Sequence, residues 1–238
     1  MDVFCRKELK FLIDSRQRQQ LAEIFGERML PDAYPHSSIR NLYYDTPDFR
    51  LIRRSLEKPV YKEKLRLRCY GGSEQVFLEV KKKYQGIVYK RRIATTEPQA
   101  EAFMERRGSI ADTQIGREMV YFRDFYQTLQ PRVYLSYERD AWFSREDPGL
   151  RITMDDQIYY RFEDLKMDLP PSGQAILPPE LTLMEVKAEN AIPLWLTRLL
   201  AQQRIHRISF SKYGRAYLAQ LQQKQREGKG FYYVESNI

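Results

Sequence analysis

Charged and apolar side chains alternate along several short segments, and this alternation limits what the chain can fold into more than any other feature. Residues 61–70 show it most clearly, because every second residue from Lys62 to Arg68 is basic. Successive side chains of a β-strand point to opposite faces, with a period of two. One face of this strand is therefore cationic, and the other, which carries Leu65 and Leu67, is mostly apolar.

The same alternation recurs in other segments. Charged residues fall on one phase and apolar residues, such as Val80 and Val186, on the other. The charged positions are Glu8, Lys10, Lys62, Lys64, Arg66, Arg68, Glu79, Lys81, Lys83, Arg151, Glu185 and Lys187. A single half-exposed sheet would also alternate, with its charges simply solvated. The repetition of this alternation in five strands favours a curved sheet, in which the charged faces of the strands point toward a common interior.

Eight segments resemble strands, and five have helical periodicity. The predicted strands are 4–13, 39–44, 61–70, 75–83, 87–95, 132–143, 150–155 and 182–187. The predicted helices are 15–29, 97–107, 112–128, 193–203 and 213–224. We therefore predict an α+β fold in which an eight-stranded antiparallel β-barrel forms a tunnel and helices pack outside it. The 238 residues suit one large domain, 1–238, with a mobile tail from about residue 226.

A barrel that buries these charged faces needs a ligand of opposite charge. Cations gathered inside a protein repel one another and are poorly solvated. Phosphates meet this need because guanidinium groups bind their oxygens bidentately, while lysines supply compact positive charge. The pattern therefore predicts a tunnel that holds a polyphosphate or a nucleoside triphosphate.

Three glutamates share the cationic faces. Glu8, Glu79 and Glu185 occupy equivalent strand phases, and Glu185 is the first choice as a metal ligand. Mg²⁺ or Mn²⁺ usually binds through one or two carboxylates plus phosphate oxygens. The residues alone leave open whether these glutamates bind a metal or only pair with the cations.

Composition and the remaining motifs exclude several other classes. The formal charge of +8 favours anionic partners but does not distinguish nucleic acid, membrane or small phosphorylated ligands. Cys5 and Cys69 do not support a disulfide framework or a zinc site, and His36 and His206 stand apart from any nucleophile. Phosphate-loop and dinucleotide glycine motifs do not occur. Without a signal peptide or a long apolar stretch, we expect a soluble, cytoplasmic protein.

Six motifs in order resemble the catalytic domain of the vacuolar transporter chaperone (VTC) family, the polyphosphate polymerase domain of the triphosphate tunnel metalloenzyme superfamily. The likeness spans residues 4–221. The motifs are Arg6-Lys7-Glu8-Leu9-Lys10-Phe11, Leu42-Tyr43-Tyr44-Asp45-Thr46, Lys64-Leu65-Arg66-Leu67-Arg68, Phe77-Leu78-Glu79-Val80-Lys81, Leu183-Met184-Glu185-Val186-Lys187 and Ser209-Phe210-Ser211-Lys212-Tyr213-Gly214.

The resemblance implies that the γ-phosphoryl group of ATP passes to a growing polyphosphate chain with the help of Mn²⁺ or Mg²⁺. It implies a phosphate-binding catalytic set of Lys10, Arg66, Arg68, Lys81, Arg139, Arg151, Lys187 and Lys212. Further phosphate contacts are assigned to Lys64, Lys83, Lys90, Arg92, Tyr137 and Ser211. The resemblance makes Glu185 the metal ligand, and Glu79 and Glu8 are the other metal candidates. Strand phase does not decide between Arg91 and its neighbours, and we favour Lys90 and Arg92.

The chain departs from the hydrolytic members of the superfamily at its first motif. Those enzymes usually begin with Glu-x-Glu-x-Lys, whereas Arg6 stands at the first acidic position here. Fewer carboxylates favour polymer handling over two-metal hydrolysis. A tunnel triphosphatase and a non-catalytic polyphosphate-binding module remain the alternatives. We expect ATP and polyphosphate as partners, no nucleic acid, and attachment to the inner face of a membrane only through a separate membrane protein.

Overall fold

The computed structural model describes residues 7–71, 73–85, 87–189 and 191–228. Within these ranges the chain forms ten strands and six helices. The strands are β1 (Lys7–Asp14), β2 (Met29–Asp45), β3 (Tyr61–Tyr70), β4 (Gln75–Tyr84), β5 (Ile87–Thr96), β6 (Gln130–Ser144), β7 (Arg151–Arg161), β8 (Gln174–Ala175), β9 (Leu181–Ala188) and β10 (Arg207–Ile208). The helices are α1 (Ser15–Arg28), α2 (Arg50–Leu56), α3 (Glu97–Met104), α4 (Gln114–Tyr126), α5 (Leu194–Gln202) and α6 (Lys212–Arg226).

The eight predicted strands correspond to the eight long strands of the structure, and the α+β class is confirmed. Helix α2 and the two-residue strands β8 and β10 were not predicted. Strand β2 also begins ten residues earlier than expected, at Met29. Cys5, Arg6 and most of the predicted tail lie outside the described residues.

All pairs in the sheet are antiparallel, in the order β10-β1-β9-β7-β6-β2-β3-β4-β5, with β8 added to β7. The prediction of a closed barrel is wrong, because among the described strand pairs β1 and β5 do not meet. The outer edge of β1 is taken by β10, where Lys10 pairs with Ile208 and Phe11 with Arg207. This edge is therefore no longer free to pair with β5.

Helices cover the apolar face of the sheet, as the alternation predicts. Helices α3 and α4 pack on β3 and β4 through residues such as Phe103, Phe122 and Leu67. Helices α1 and α5 pack on β1, β7 and β9 through residues such as Phe25 and Leu196. Because burial of apolar area stabilises the fold by about 25 cal/mol per Å², these two clusters fix which face of the sheet points inward.

Helix α6 enters from the opposite, inner side of the sheet. The Tyr213 ring stacks on Tyr43 of β2 with 4.7 Å between centroids, and its hydroxyl donates to the buried Asp45 carboxylate at 2.8 Å. Asp45 also accepts from the backbone N–H groups of Leu51 and Ile52 at the start of α2. A Cβ atom on Gly214 would lie 3.1 Å from Leu56, so glycine allows α6 to approach α2 closely. These contacts hold the first turn of α6 against the charged face of the sheet.

Candidate phosphate-binding site

The strand register places the predicted charged residues on one face. Residues directly opposite each other in an antiparallel pair share a face of the sheet. The relevant pairs are Glu8 with Lys187, Lys10 with Glu185, Arg151 with Lys187, Arg139 with Asp155, Lys62 with Lys83, Lys64 with Lys81, Arg66 with Glu79, Glu79 with Arg92 and Lys81 with Lys90. This inner face lies opposite the face that the packed helices α1, α3, α4 and α5 cover.

Glu185 lies at the centre of one group of cations. Its carboxylate is 2.6 Å from the Lys10 ammonium. The same carboxylate is 3.5 Å from Lys187, 3.5 Å from Lys212 and 3.7 Å from Arg139. Burial alone would raise the pKa of Glu185, but the charges of Lys212 and Lys187 lower it well below its usual range. Glu185 is therefore an ionised carboxylate that holds four cations around one point.

Asp155 is a second buried carboxylate in this group, and the sequence interpretation missed it. It is fully buried and accepts from the Arg139 guanidinium at 2.6 and 2.7 Å. It also forms an ion pair with Lys212. Burial opposes its ionisation, but Lys212 and Arg139 lower its pKa. The signal was available, because Asp155 has the strand phase of Arg151 and Thr153.

Arg66 and Glu79 form the core of a second group, on β3 and β4. The guanidinium donates to the carboxylate at 2.6 and 2.8 Å, and Lys90 approaches it at 2.6 Å. Burial by itself raises the pKa of Glu79, but the charges of Arg66, Arg68 and Lys90 lower it to about 2. Each oxygen of the Glu79 carboxylate thus lies within ion-pair distance of a cation.

Tyr137 joins the two groups. Its hydroxyl accepts from Arg68 at 2.9 Å, and its ring lies beneath Lys212 and Arg139, whose charged atoms are 4.4 and 5.2 Å from the centroid. Arg68 is held from its other side by the Asn41 side chain at 2.8 Å. These cation–π contacts add to the carboxylate pairs of Lys212 and Arg139 in holding their charged groups in place.

A third group consists almost entirely of lysines. Lys62 faces Lys83 and Lys64 faces Lys81 directly across β3 and β4. Like charges in directly opposite positions destabilise a sheet. Burial, with the charges of Lys81 and Lys62, lowers the pKa of Lys64 to about 8. Among the described residues, no carboxylate lies within ion-pair distance of Lys62, Lys64 or Lys83.

The start of α6 adds backbone donors beside these lysines. Ser211 caps the helix by accepting from the Gly214 N–H at 3.1 Å, and its hydroxyl receives a hydrogen bond from Lys64 at 2.8 Å. The first residue of the helix, Lys212, reaches Asp155 and Glu185. A helix N-terminus favours negative charge because its first N–H groups have no intrahelical partner.

Glu8 bridges the two ends of the sheet. It lies 2.9 Å from Lys10 on its own strand and 3.5 Å from Lys81 on β4. Burial alone would raise the pKa of Glu8, but Lys81 and Lys10 lower it to about 2. The sheet therefore curls until side chains of β1 and β4 touch, although their backbones do not pair.

Three assigned residues lie at the periphery. Arg151 is exposed and pairs with Asp32 at 2.8 Å rather than with the central carboxylates. Lys83 and Arg92 are also exposed, on the inner face near the open edge. Arg91 points outward and approaches Glu118 of α4 at 3.6 Å. The structure thus places Lys90 and Arg92, and not Arg91, on the inner face.

The carboxylates fit a metal only together with phosphate. Among the described residues there is no cluster of three or more His, Cys, Asp or Glu side chains able to hold an ion alone. Glu185 is instead surrounded by cations, which a phosphate group would draw away. Mg²⁺ and Mn²⁺ are commonly held in this shared manner, so Glu185 with Asp155 fits a divalent ion that arrives with the phosphates.

A larger cavity of about 700 Å³ lies away from this site. Its carboxylates are already paired: Asp140 and Asp156 bind Arg18, and Glu138 lies 3.2 Å from His36. A hydrogen bond with Asp140 raises the pKa of His36. We assign the phosphate chemistry to the cation-rich inner face because this cavity is lined by acidic side chains.

Comparison with solved structures shows that other proteins share this fold. PH1819 from Pyrococcus horikoshii OT3 aligns with a TM-score of 0.51 and 13% identity, covering 91% of this chain and 98% of its own. HpAC1 from Hippeastrum, described as having a dominant triphosphatase activity, aligns with a TM-score of 0.50 and 14% identity, covering 94% and 96%. A search of curated proteins finds no match.

The topology and coverage place the chain in the fold class of these solved structures. A model of the VTC domain matches residues 5–221. The chain belongs to the VTC domain family. No described helix has both the length and the apolar content needed to cross a membrane.

Proposed function

We propose that this chain is a metal-dependent polyphosphate polymerase, which transfers the γ-phosphoryl group of ATP to a growing inorganic polyphosphate chain. The observation that carries the proposal is the lysine group on β3 and β4, where Lys62 faces Lys83 and Lys64 faces Lys81. Such opposed cations destabilise the free protein and are offset by an anion that spans several of them. A polymer of phosphates matches this extended row better than a single phosphate does.

Each kind of basic residue has a distinct role in this proposal. Arg66, Arg68 and Arg139 bind phosphate oxygens through planar guanidinium groups, while the lysines neutralise the charge of the chain. Phosphoryl transfer depends mainly on positioning and electrostatic stabilisation, so no protein nucleophile is required. A bound Mn²⁺ or Mg²⁺ supplies further neutralisation of phosphate charge, and Glu185 and Asp155 are the residues that would hold it.

Hydrolysis of triphosphate is the second candidate. The described activity of HpAC1 favours it, but that protein shares only 14% identity with this chain. A hydrolase also needs a group that accepts a proton from the attacking water. Here Glu8, Glu79 and Glu185 are each paired with at least two cations, which lower their pKa values and make them weak bases. Transfer between phosphate chains does not require such a base, so this pairing favours transfer.

The test is incubation of the purified protein with ATP and Mn²⁺, followed by a gel stained for polyphosphate. We expect a ladder of products from the wild-type protein. Arg66→Ala and Lys212→Ala should reduce its formation by about 10²–10³-fold, the usual effect of removing one preorganised charge-stabilising group. Arg198→Ala, on the exposed face of α5, is the matched control and should leave the ladder unchanged.

The products also separate the alternatives. Orthophosphate without a ladder identifies a triphosphatase. Tight binding of tripolyphosphate with neither product identifies a non-catalytic binding module. Melting temperatures of the variants, measured without ligand, show whether any loss of activity reflects unfolding.

A further inference from the structure

A cluster of exposed aromatic side chains lies on the outer surface, at the end of the β3–β4 hairpin nearest α4. We call it the aromatic patch, and it consists of Val60, Tyr61, Tyr84, Tyr121 and Phe125. Four of these residues are among the most exposed large apolar side chains described, with 64% exposure for Val60, 46% for Tyr84, 68% for Tyr121 and 55% for Phe125. Contiguous exposed apolar surface of this kind commonly marks an interaction site.

Contacts show that the patch is continuous. Tyr121 and Phe125 lie one turn apart on α4, with rings stacked at 6.1 Å, and the rings of Tyr61 and Tyr84 meet edge to face at 6.4 Å. Glu63 links the two pairs, because it accepts hydrogen bonds from Tyr61 and from Tyr126, which packs against Phe125. The rings are thus held in place on rigid elements.

Basic residues flank the patch. Arg54 lies close enough to Tyr61 for its charge to act on the hydroxyl, and Lys58 precedes Val60 by two residues. Both cations are exposed, and Glu57 is the exposed acidic residue of the same turn. The turn that leads into the patch therefore carries an excess of exposed positive charge.

We propose that the aromatic patch binds the surface of an anionic lipid bilayer. Tyrosine and phenylalanine insert at the boundary between head groups and acyl chains, while nearby lysines and arginines attract anionic head groups. A second copy docked on the same surface would bring the cations around the two patches together, which disfavours a symmetric dimer.

This orientation has a direct consequence for the inner face. Lys62 and Lys83 lie at the same end of the β3–β4 hairpin as Tyr61 and Tyr84. A bilayer bound at the patch would therefore lie beside the end of the lysine group.

The test is sedimentation with phosphatidylcholine vesicles that contain or lack phosphatidylserine. We expect binding only to the phosphatidylserine vesicles, and a decrease of about tenfold or more in the double variant Tyr121→Ser, Phe125→Ser, since both side chains insert. Tyr34→Ser and Leu194→Ser are matched controls, because these residues are 77% and 71% exposed but belong to other surfaces. Their binding should equal that of the wild-type protein.

Two further experiments test which surface of the protein binds the vesicles and whether the aromatic patch inserts into the bilayer. Saturating tripolyphosphate fills the inner face and should leave vesicle binding intact, whereas abolition of binding would overturn the proposal. A Phe125→Trp variant should show a blue shift in fluorescence with the vesicles, and no shift would count against insertion. Vesicle binding by the double variant equal to that of the wild-type protein would also overturn the proposal. So would a double variant that still binds vesicles but loses a dimer or an RNA interaction that the wild-type protein forms.

Discussion

At the scale of single residues, the inner face contains polar groups whose bonding is incomplete in the free protein. Thr153 lies opposite Glu185 in the register, is 1% exposed, and its hydroxyl has no hydrogen-bond partner. A buried unpaired polar group destabilises the fold by about 1–3 kcal/mol. Such a group is best explained by a partner that arrives with the ligand.

Replacement of Thr153 by the isosteric valine should therefore have two effects of opposite sign. The melting temperature of the free protein should rise by about 2–4 °C, which corresponds to about 1 kcal/mol in a chain of this size. The additional stabilisation by tripolyphosphate should fall. Thermal unfolding with and without ligand measures both effects.

Thr182 provides the control for this substitution. Its buried hydroxyl already bonds to Asp156 on the outer side of the sheet. Thr182→Val should lower the melting temperature and leave the stabilisation by ligand unchanged. If the two variants behave alike, Thr153 has no special relation to the ligand.

Two buried lysines whose pKa values are lowered to about 8 predict how binding depends on pH. Burial, with the charges of neighbouring Arg139 and Lys81, lowers the pKa of Lys187 to about 8, as it does for Lys64 with its own neighbours. A bound polyanion favours the protonated form, so the affinity for tripolyphosphate should fall as pH rises through about 8. Calorimetry at pH 8 in buffers with different ionisation heats should detect proton uptake on binding.

The double variant Lys64→Arg, Lys187→Arg tests the assignment. Arginine stays charged throughout this range, so the proton uptake should largely disappear. Uptake that persists in the double variant would have to come from the phosphates or from another group.

At the scale of elements, the start of α6 has both a structural and a binding role. Ser211 caps the helix through Gly214 and holds the Lys64 ammonium at 2.8 Å. Thr113 caps α4 in the same manner, through Gly116 at 3.0 Å, but on the outer side of the sheet. The two caps allow the structural role to be separated from the binding role.

Ser211→Ala and Thr113→Ala should each destabilise the protein by about 1 kcal/mol, the usual effect of losing an N-cap. Only Ser211→Ala should also weaken the binding of tripolyphosphate, because it releases Lys64 from its position. Thermal unfolding and calorimetry of the pair distinguish the effects. Equal ligand affinity in both variants would restrict Ser211 to capping.

At the scale of the whole molecule, the inner face brings basic residues together in greater number than acidic ones. Removal of this repulsion by a ligand should stabilise the entire fold. A ligand that binds only the folded state stabilises it by about 2.7 kcal/mol at one hundred times its dissociation constant. Tripolyphosphate at that concentration should raise the melting temperature by about 5–10 °C.

Sodium sulfate at equal ionic strength is the control for this shift. It screens the cations but does not span several of them, so its effect should be smaller. Equal shifts with the two salts would show that the inner face responds to ionic strength and does not bind a phosphate chain.

How much of this structure the sequence predicted depends on how far apart in the chain the interacting residues lie. Alternation along β3 and β4 is local and strong, so it predicted the two strands and which of their residues share the charged face. Helix α2 was missed because its seven residues are too few to show periodicity. The two-residue pairing of β10 with β1 joins residues far apart in sequence, and no local pattern reports it.

The site residues also divide into those that local strand phase predicts and those that depend on packing between distant elements. The central position of Glu185 agrees with its strand phase, whereas Arg151 has the right phase but lies at the exposed end of its strand. Asp155 was not predicted, although it shares the strand phase of Arg151. Which cations share one carboxylate is set by the curl of the sheet, and that depends on packing between distant elements.

The unpaired seam between β1 and β5 bears on how a long molecule gains access. A closed barrel admits a long chain only end first, because the backbone hydrogen bonds between its neighbouring strands do not break locally. Here the described bridge across the seam is the ion pair of Glu8 with Lys81, at 3.5 Å. Side chains rotate on a timescale of about nanoseconds. If the chain binds polyphosphate as proposed, this seam would let the polymer enter and leave sideways, without being threaded from one end.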